Sequence, residues 1–439
     1  MKESQKVLIY CDYIMRLFVE PGTNFTEEAK YLFAIFAQNK NTRFDLVNRI
    51  EDSEISIGSN TTYDFEVSAS FYGSLQKGIY QFQNFLDNTC IIKTESNRPD
   101  YISTVFYMIN SFQEYAARDV DDIGRFQYKD SYQATFGNVE LNLVQHCFDK
   151  LCEHPKLAHL KNHKSQSCVF LSHDIDSING ALLQDGFHLL KQGKPHLIFN
   201  LLLNAILQRP DWLNIEEIMK IEDEHSFKST FFWLVNKGWL NKKEVNSDYN
   251  LTSKIIQSVI GNVKVKGWEN ELHKSISTDS YGEEIKKTAF QPKANRNHYL
   301  KFTLPELYDN IEKSGLLLDA SLGFAEAMGF RNSYGLPFTP YNTKERKPYS
   351  FVEVPLTIMD RTLHKYMNIP AKETAQTIIN FLEKNKSNCV ISILWHNNYF
   401  TNYKFQGYLD VYKKVLGYLQ EAKWSSASTS EIIDQYSMK

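Results

Sequence analysis

The chain has 439 residues, with 49 Lys and Arg against 52 Asp and Glu and a formal net charge of −3. So even a balance gives no electrostatic footprint for nucleic-acid binding, and no uncharged run reaches the roughly 20 residues of a membrane span. The content, 42% hydrophobic and 23% charged, is ordinary for a globular protein, and the length allows two or three domains with cores of their own.

Six Cys at 11, 90, 147, 152, 168 and 389 are scattered, which suits a reducing compartment. The apolar run after Met1–Lys6 is too short for a signal peptide, so a cytoplasmic location is expected. Lys6–Tyr10 reads as a strand. Thr26–Ala37 reads as a helix with Thr26 as its N-cap and Glu28 in its first turn. Tyr101–Tyr115 reads as a strong helix, with Val105, Ile109, Phe112 and Tyr115 near one face. The loop Arg118–Phe126 follows; its three Asp do not have the spacing of a calcium loop, and a solvated turn or a domain contact is expected. Cys147 and Cys152 lie near His146 and His154, but Val144, Cys147, Phe148 and Leu151 share a helical stripe, and a core helix is the better account than a zinc cluster. The basic stretch Glu153–Gln166 marks the expected boundary between an N-terminal α/β domain, residues 1–152, and a second domain, residues 165–439.

Beyond residue 167 short apolar runs alternate with helical patterns. Strands are expected at 168–172, Ser229–Val235, Leu316–Leu318, Phe351–Ile358 and Cys389–Trp395. Helices are expected at Leu251–Ile260, Leu304–Ser314, Ala371–Leu382 and Tyr403–Leu419. Glu222 reads as part of a solvated helix end. This alternation argues for parallel βα units. The polar motifs fall just after strands, where a βα barrel builds its active site. The first is Ser172-His173-Asp174-Ile175-Asp176, whose two carboxylates stand on one side of an extended chain. Two anions that close repel and lose solvation unless a cation or an Arg lies between them. The others are Trp268–Ser275 with His273, Asn295-Arg296-Asn297-His298-Tyr299-Leu300, and Leu394-Trp395-His396-Asn397-Asn398.

In their order and spacing these motifs resemble the NodB-type polysaccharide deacetylases, and more closely a bacterial branch of that family with an N-terminal α/β domain of unknown function. Residues 106–126 carry the likeness in the N-terminal half. The resemblance implies a distorted (β/α) barrel over residues 165–439 and a role for each motif residue. Asp174 would be the catalytic base, Asp176 and His273 metal ligands, Arg296 the partner that holds the base, and His396 the acid. Asp319, after Leu316–Leu318, stands where the family often places a supporting acid. One departure is plain. The family's second motif carries a further His four residues on, and here that position is Ser277. His298 is the best substitute ligand, and His173 is another. Arg331, Trp395 and Tyr299 are candidate substrate-binding side chains, although Arg331 could instead pair with a carboxylate and Trp395 could be core. Asp360 is placed to orient His396 or Arg296.

The expected protein is therefore a hydrolase that uses a divalent metal, zinc first, to remove an acyl group, acetyl above all, from an N-acetylated amino sugar of a polysaccharide or its precursor. The alternatives are an inactive deacetylase scaffold that binds glycan, favoured by Ser277, and a related hydrolase of a small cyclic amide.

Overall fold

The computed structural model describes residues 14–80, 89–194, 196–207, 211–238, 245–401 and 403–438. The strand expected at Lys6–Tyr10 lies outside them. The N-terminal part is a parallel sheet of β1 (Ile14–Val19), β2 (Arg43–Val47), β3 (Ile55–Gly58) and β4 (Phe65–Glu66), in the order β2-β1-β3-β4. The helix Thr26–Lys40 lays Ala29, Leu32, Phe33 and Phe36 into the core, with Glu27 and Glu28 in the first turn and Lys40 in the last, the polarity the helix dipole favours. Thr26 does not cap it: no side-chain cap bond is made, and its hydroxyl donates to the Glu20 carbonyl at 2.8 Å.

The helix Tyr101–Ile109 is capped by Asp100, which accepts from the Ser103 N–H at 2.8 Å. It ends six residues short of Tyr115. Asn110 donates back to the Phe106 carbonyl at 3.0 Å, Ser111 adopts φ 53°, and a 3-10 turn, Phe112–Glu114, follows. A left-handed Ser cannot continue a helix. The bend turns Phe112 inward and aims Glu114 at the second half of the molecule.

That half is a ring of parallel strands: β5 (Cys168–Ile175), β6 (Ser229–Leu234), β7 (Glu269–Lys274), β8 (Ala294–Asn297) and β9 (Leu318–Asp319), each paired with the next. After the small hairpin of β10 (Tyr341–Asn342) and β11 (Lys347–Pro348), the chain forms β12 (Val352–Glu353) and β13 (Leu356–Met359). β12 pairs with β9, whereas β13 pairs with β14 (Val390–Leu394), which returns to β5. One segment, broken at Val354-Pro355, thus spans the gap between both edges, because proline gives the ladder no N–H. A last short strand, β15 (Ser425–Ser426), adds to β5. The barrel is closed in pairing but distorted at this seam.

Side chains along β5 and β6 alternate. Phe170 and Phe232 belong to the core cluster shared with the N-terminal part; Val169, Leu171, Phe231 and Trp233 belong to the cluster under the outer helices. This is the period of two of an extended chain. The first cluster runs without interruption from Phe36 and Phe106 to Tyr341, Leu318 and Val352, and the 153–166 stretch contributes Leu157 and Leu160 to it. The helix Leu143–Leu151 buries Cys147 and Phe148 in the same core. β7 and β8 escape a hydrophobicity pattern because they are polar yet buried. Glu271 accepts from the Lys293 and Ala294 N–H groups at 2.7 Å each, and Asn295 donates to Asp319 at 2.7 Å. Among the described residues no helix is long and apolar enough to cross a membrane.

Candidate active site

The carboxyl ends of the strands converge on one open cavity of about 520 Å³. Asp174 stands near the end of β5 and Asp176 just beyond it, two residues apart and so on the same side. His273 comes from β7, Arg296 from β8, His298 and Tyr299 from the turn after β8, and His396 from the turn after β14. Strand register places His273 beside Arg296.

Arg296 is fully buried. Its Nη1 donates to Asp174 Oδ1 at 2.8 Å, its Nε donates to the Ala320 carbonyl at 2.9 Å, and its guanidinium carbon lies 4.5 Å over the Phe232 ring. Burial pushes the Asp174 carboxyl up, but His273, Arg296 and His396 outweigh it and hold it below the usual carboxylate range. Asp174 is therefore an ionised, oriented acceptor at the cavity floor.

His273 donates from Nδ1 to the Arg296 carbonyl at 2.8 Å, which leaves its Nε2 as the free face of the ring. That Nε2 lies 3.3 Å from Asp176 Oδ1 and 3.5 Å from Asp174 Oδ2. His298 Nε2 lies 3.6 Å from the same Asp176 oxygen. Asp176 Oδ1 and His273 Nε2 are buried without a hydrogen-bond partner among the described residues. Unpaired buried polar atoms are costly, and here two of them face each other. The ligand atoms of Asp176, His273 and His298 all fall within 4.8 Å of one another. Two ligands on a tetrahedral ion at 2.0–2.1 Å stand about 3.3–3.4 Å apart, so the donor set fits a divalent metal with one position left open. Burial holds the His298 ring below its usual range, in the neutral form that a ligand needs. At His273 burial is outweighed by Asp174 and Asp176, which hold that ring above its own range, so an ion binding there would displace a proton.

Across the cavity, His396 is clamped by Asp360. Its Nδ1 donates to Asp360 Oδ1 at 2.8 Å, and its backbone N–H donates to Oδ2 at 2.6 Å. Burial pulls the imidazole down, but Asp360, then Asp176 and Asp174, overcome that and push it up to about 9. The other nitrogen, Nε2, points at Asp176 Oδ2, 3.7 Å away.

Five expectations need correction. Arg331 is buried and fully used, donating to both Glu114 oxygens at 2.8 and 2.6 Å and to the Gly323 carbonyl at 2.8 Å; it ties the N-terminal part to the barrel and offers nothing to a substrate. Trp395 is buried against Tyr408 and Tyr412, under the outer helices. Its neighbour His396 takes the cavity side because successive side chains in extended backbone alternate. Asp319 lies outside the cavity. It accepts from Asn295 and Ser321 and stands beside Glu353 on the paired strand, so any support it gives runs through the neighbouring Ala320 carbonyl that Arg296 grips. Glu222 is not solvated. It is buried and accepts from Ser229, Trp268 and Tyr412, and it also holds His173 Nε2 at 2.8 Å. His173 Nδ1 is taken by the Trp395 carbonyl at 2.7 Å, which removes it as a ligand. Ser277 bonds Glu284 and Asn236, away from the cavity lining.

Tyr299 lines the cavity at φ 61°, stacked on His298 with centroids 4.0 Å apart. A bulky residue in the left-handed region is strained, a feature that clusters at functional sites. Arg125 Nη1 donates to its carbonyl at 3.0 Å. Arg125 thus brings the Arg118–Phe126 loop into the cavity wall, together with Arg361, Lys365 and Tyr366. Arg361 follows the 351–358 strand and could be read from the sequence as a binding or pairing residue; Arg125, Lys365 and Tyr366 follow no strand motif and had no legible role.

Residues 17–157 match the model of a family described as a family of unknown function (DUF7033). No curated protein matches the chain. Among solved structures, the chain is similar to a "probable polysaccharide deacetylase" from Pseudomonas aeruginosa PAO1, at 12% identity over 63% of this chain and 95% of that one, TM-score 0.39. It is also similar to the peptidoglycan deacetylase PdaC from Bacillus subtilis, at 10% identity over 62% and 92%, TM-score 0.31. A third is a 4-alpha-glucanotransferase from Thermococcus litoralis, at 11% identity over 62% and 38%, TM-score 0.35.

Proposed function

We propose that this protein is a metal-dependent amide hydrolase that removes an N-acyl group, acetyl in the first instance, from an amino sugar of a polysaccharide or its precursor. The observation that carries this is the opposition, across one cavity, of an ionised Asp174 and an Asp360-held His396, with the partnerless ligand atoms of Asp176 and His273 between them. Asp176, His273 and His298 would hold the divalent ion, zinc by the mixed nitrogen and oxygen donor set, and when bound it supplies Lewis-acid polarisation of the acyl carbonyl and acidifies water.

The chain's own residues account for the proton traffic. Asp174, kept ionised by Arg296, accepts the proton of the attacking water as general base. His396 carries a proton at Nε2 near neutrality because Asp360 stabilises the imidazolium, and Nε2 is the nitrogen that faces the cavity. It donates that proton to the departing nitrogen, which an amide needs because an unprotonated amine anion is a very poor leaving group. The pair has the separated acid and base that two-step hydrolysis requires. Binding of an N-acetylated sugar in this cavity follows from the same reading.

The test is metal content by mass spectrometry on protein purified without chelator, paired with acetate release from N-acetylglucosamine oligomers. Near-stoichiometric divalent metal in the wild type, loss of it in Asp176→Ala, and loss of acetate release with metal retained in Asp174→Asn are expected. A protein that takes up no metal after equilibration with zinc, or an Asp174→Asn variant as active as the wild type, would overturn the assignment.

A further inference from the structure

The cavity mouth is basic although the chain as a whole carries −3. Arg125, Arg361 and Lys365 line the cavity against only two carboxylates, Asp174 and Asp176. Asp174 is already engaged by Arg296 at 2.8 Å. Asp176 is shared among His273, His298 and His396, and it stands 4.0 Å from Arg361 Nη1. One carboxylate cannot neutralise all of these. Arg125 is the exception among the three cations, because Asp121 holds its guanidinium at 2.7 Å. Arg361 has only loose counter-charges, Asp176 at 4.0 Å and its neighbour Asp360, and Lys365 makes no ion pair with a carboxylate among the described residues.

These two lie at either end of one turn. After β13 the chain enters a π-helical turn, Thr362–Tyr366, flanked by Arg361. Such turns are rare and concentrate at functional sites. Both side chains line the same cavity, so two like charges face one space. Arg361 is partly exposed, Lys365 is exposed with its ammonium 5.3 Å from the Tyr366 ring centroid, and among the described residues Arg361 pairs with no carboxylate but Asp176 and Lys365 with none. A third cation stands close by. Lys404 donates to Gln184 at 3.1 Å, and burial together with the Arg361 and Lys365 charges lowers its ammonium below the usual range. Arg and Lys can hydrogen-bond the hydroxyls of a neutral glycan, but only an anion also neutralises their charge. An anion seated between Arg361 and Lys365 would relieve the repulsion and receive charge-assisted hydrogen bonds.

We propose that Arg361 and Lys365 form an anion subsite at the cavity mouth, and that the amino sugar this protein takes carries a negatively charged group, a carboxylate or a phosphate, beside its acylated nitrogen. This rests on the assignment of the cavity as an N-acyl amino-sugar site. Specificity then comes from charge on the substrate rather than from polymer length.

Calorimetric binding to the full chain tests it with three probes: N-acetylglucosamine, N-acetylglucosamine 1-phosphate, and the matching N-acetylated amino-uronic acid. At least one acidic sugar should bind about tenfold or more tightly than the neutral one at low salt, the scale of a charged hydrogen bond. That margin should shrink as salt is raised. Preference for the phosphate or for the uronic acid identifies the source of the anion. Arg361→Gln/Lys365→Gln should erase the preference, so that acidic and neutral sugars bind alike. Lys365→Glu, at an exposed position that leaves the fold alone, should lower acidic-sugar affinity further than Lys365→Gln. Equal binding of all three sugars, no binding of any, or a preference that survives in the double variant would overturn the proposal. Acetate release measured in parallel separates the two readings. Hydrolysis without charge preference removes the subsite and keeps the hydrolase, whereas charge-selective binding without hydrolysis does the reverse.

Discussion

Replacing Arg331 by Met distinguishes a structural arginine from a substrate-binding one. Its guanidinium makes two bonds to Glu114, at 2.8 and 2.6 Å, and one to the Gly323 carbonyl, and its carbon lies 4.6 Å over Phe302 and 5.1 Å over Phe324. Both side chains of the pair are nearly inaccessible, at 2% and 3% exposure. Removing one partner leaves the other as an unpaired buried charge, a loss of about 3–5 kcal/mol. Taking both away, as Glu114→Met/Arg331→Met, leaves no such charge and should cost clearly less than the two single changes added together. Urea unfolding followed by tryptophan fluorescence reads this directly, since a lower midpoint at constant slope is lost stability. The same variants should bind substrate with unchanged affinity at a temperature where they are folded. A single-variant loss under about 1 kcal/mol, or strict additivity, would refute the buried-pair argument. Lost sugar binding at full stability would restore Arg331 to the site.

Asp360→Asn should lower kcat by about 10²–10⁴, the span of a mispositioned general acid, with metal content unchanged; a rate within a few-fold of wild type would remove Asp360 from the mechanism. His298→Ala should reduce zinc retention on dialysis, whereas Ser277→Ala should not, because Ser277 is committed to Glu284 and Asn236; the opposite order would show that the sequence-adjacent position holds the ion. Burial raises the carboxyls of Asp319 and Glu353, which stand side by side on paired strands. The folded state therefore keeps a proton that the unfolded chain gives up near pH 4–4.5, and stability should fall as pH rises from there toward the raised folded values. Glu353→Gln should flatten that slope in urea midpoints taken across pH, and a slope left intact would refute the shared proton. Gly329 has φ +133°, and a Cβ there would stand 2.4 Å from the Val139 carbonyl oxygen. Gly329→Ala should therefore destabilise by more than about 1 kcal/mol; a variant that unfolds at the wild-type urea midpoint would rule this out.

The strands that stood out in the sequence were the apolar ones. Cys168–Leu171 and the runs at Ser229 and Cys389 declare themselves because a parallel strand is covered on both faces, and Asp174, Asp176 and His396 follow the first and last of them. That local logic singled out Asp174, Asp176 and His396; His273 and Arg296 joined them through the motif order that resembles the deacetylases. β7 and β8 stayed hidden as strands because their buried positions are filled by Glu271, Asn295 and Arg296, which only partners from distant strands can satisfy. Residue type alone could not separate His298, whose Nε2 faces Asp176, from His173, which Glu222 and a carbonyl consume one strand away. Nor could it tell Arg361 at the cavity wall from Arg331 in the core. The sequence determined which chemistry the chain carries and in what order, since a strand end is a local property of the backbone. Which histidine completes the donor set, which arginine stays free, and that a loop from the N-terminal part walls the cavity were decided by packing, because each depends on what a distant segment presents to that side chain.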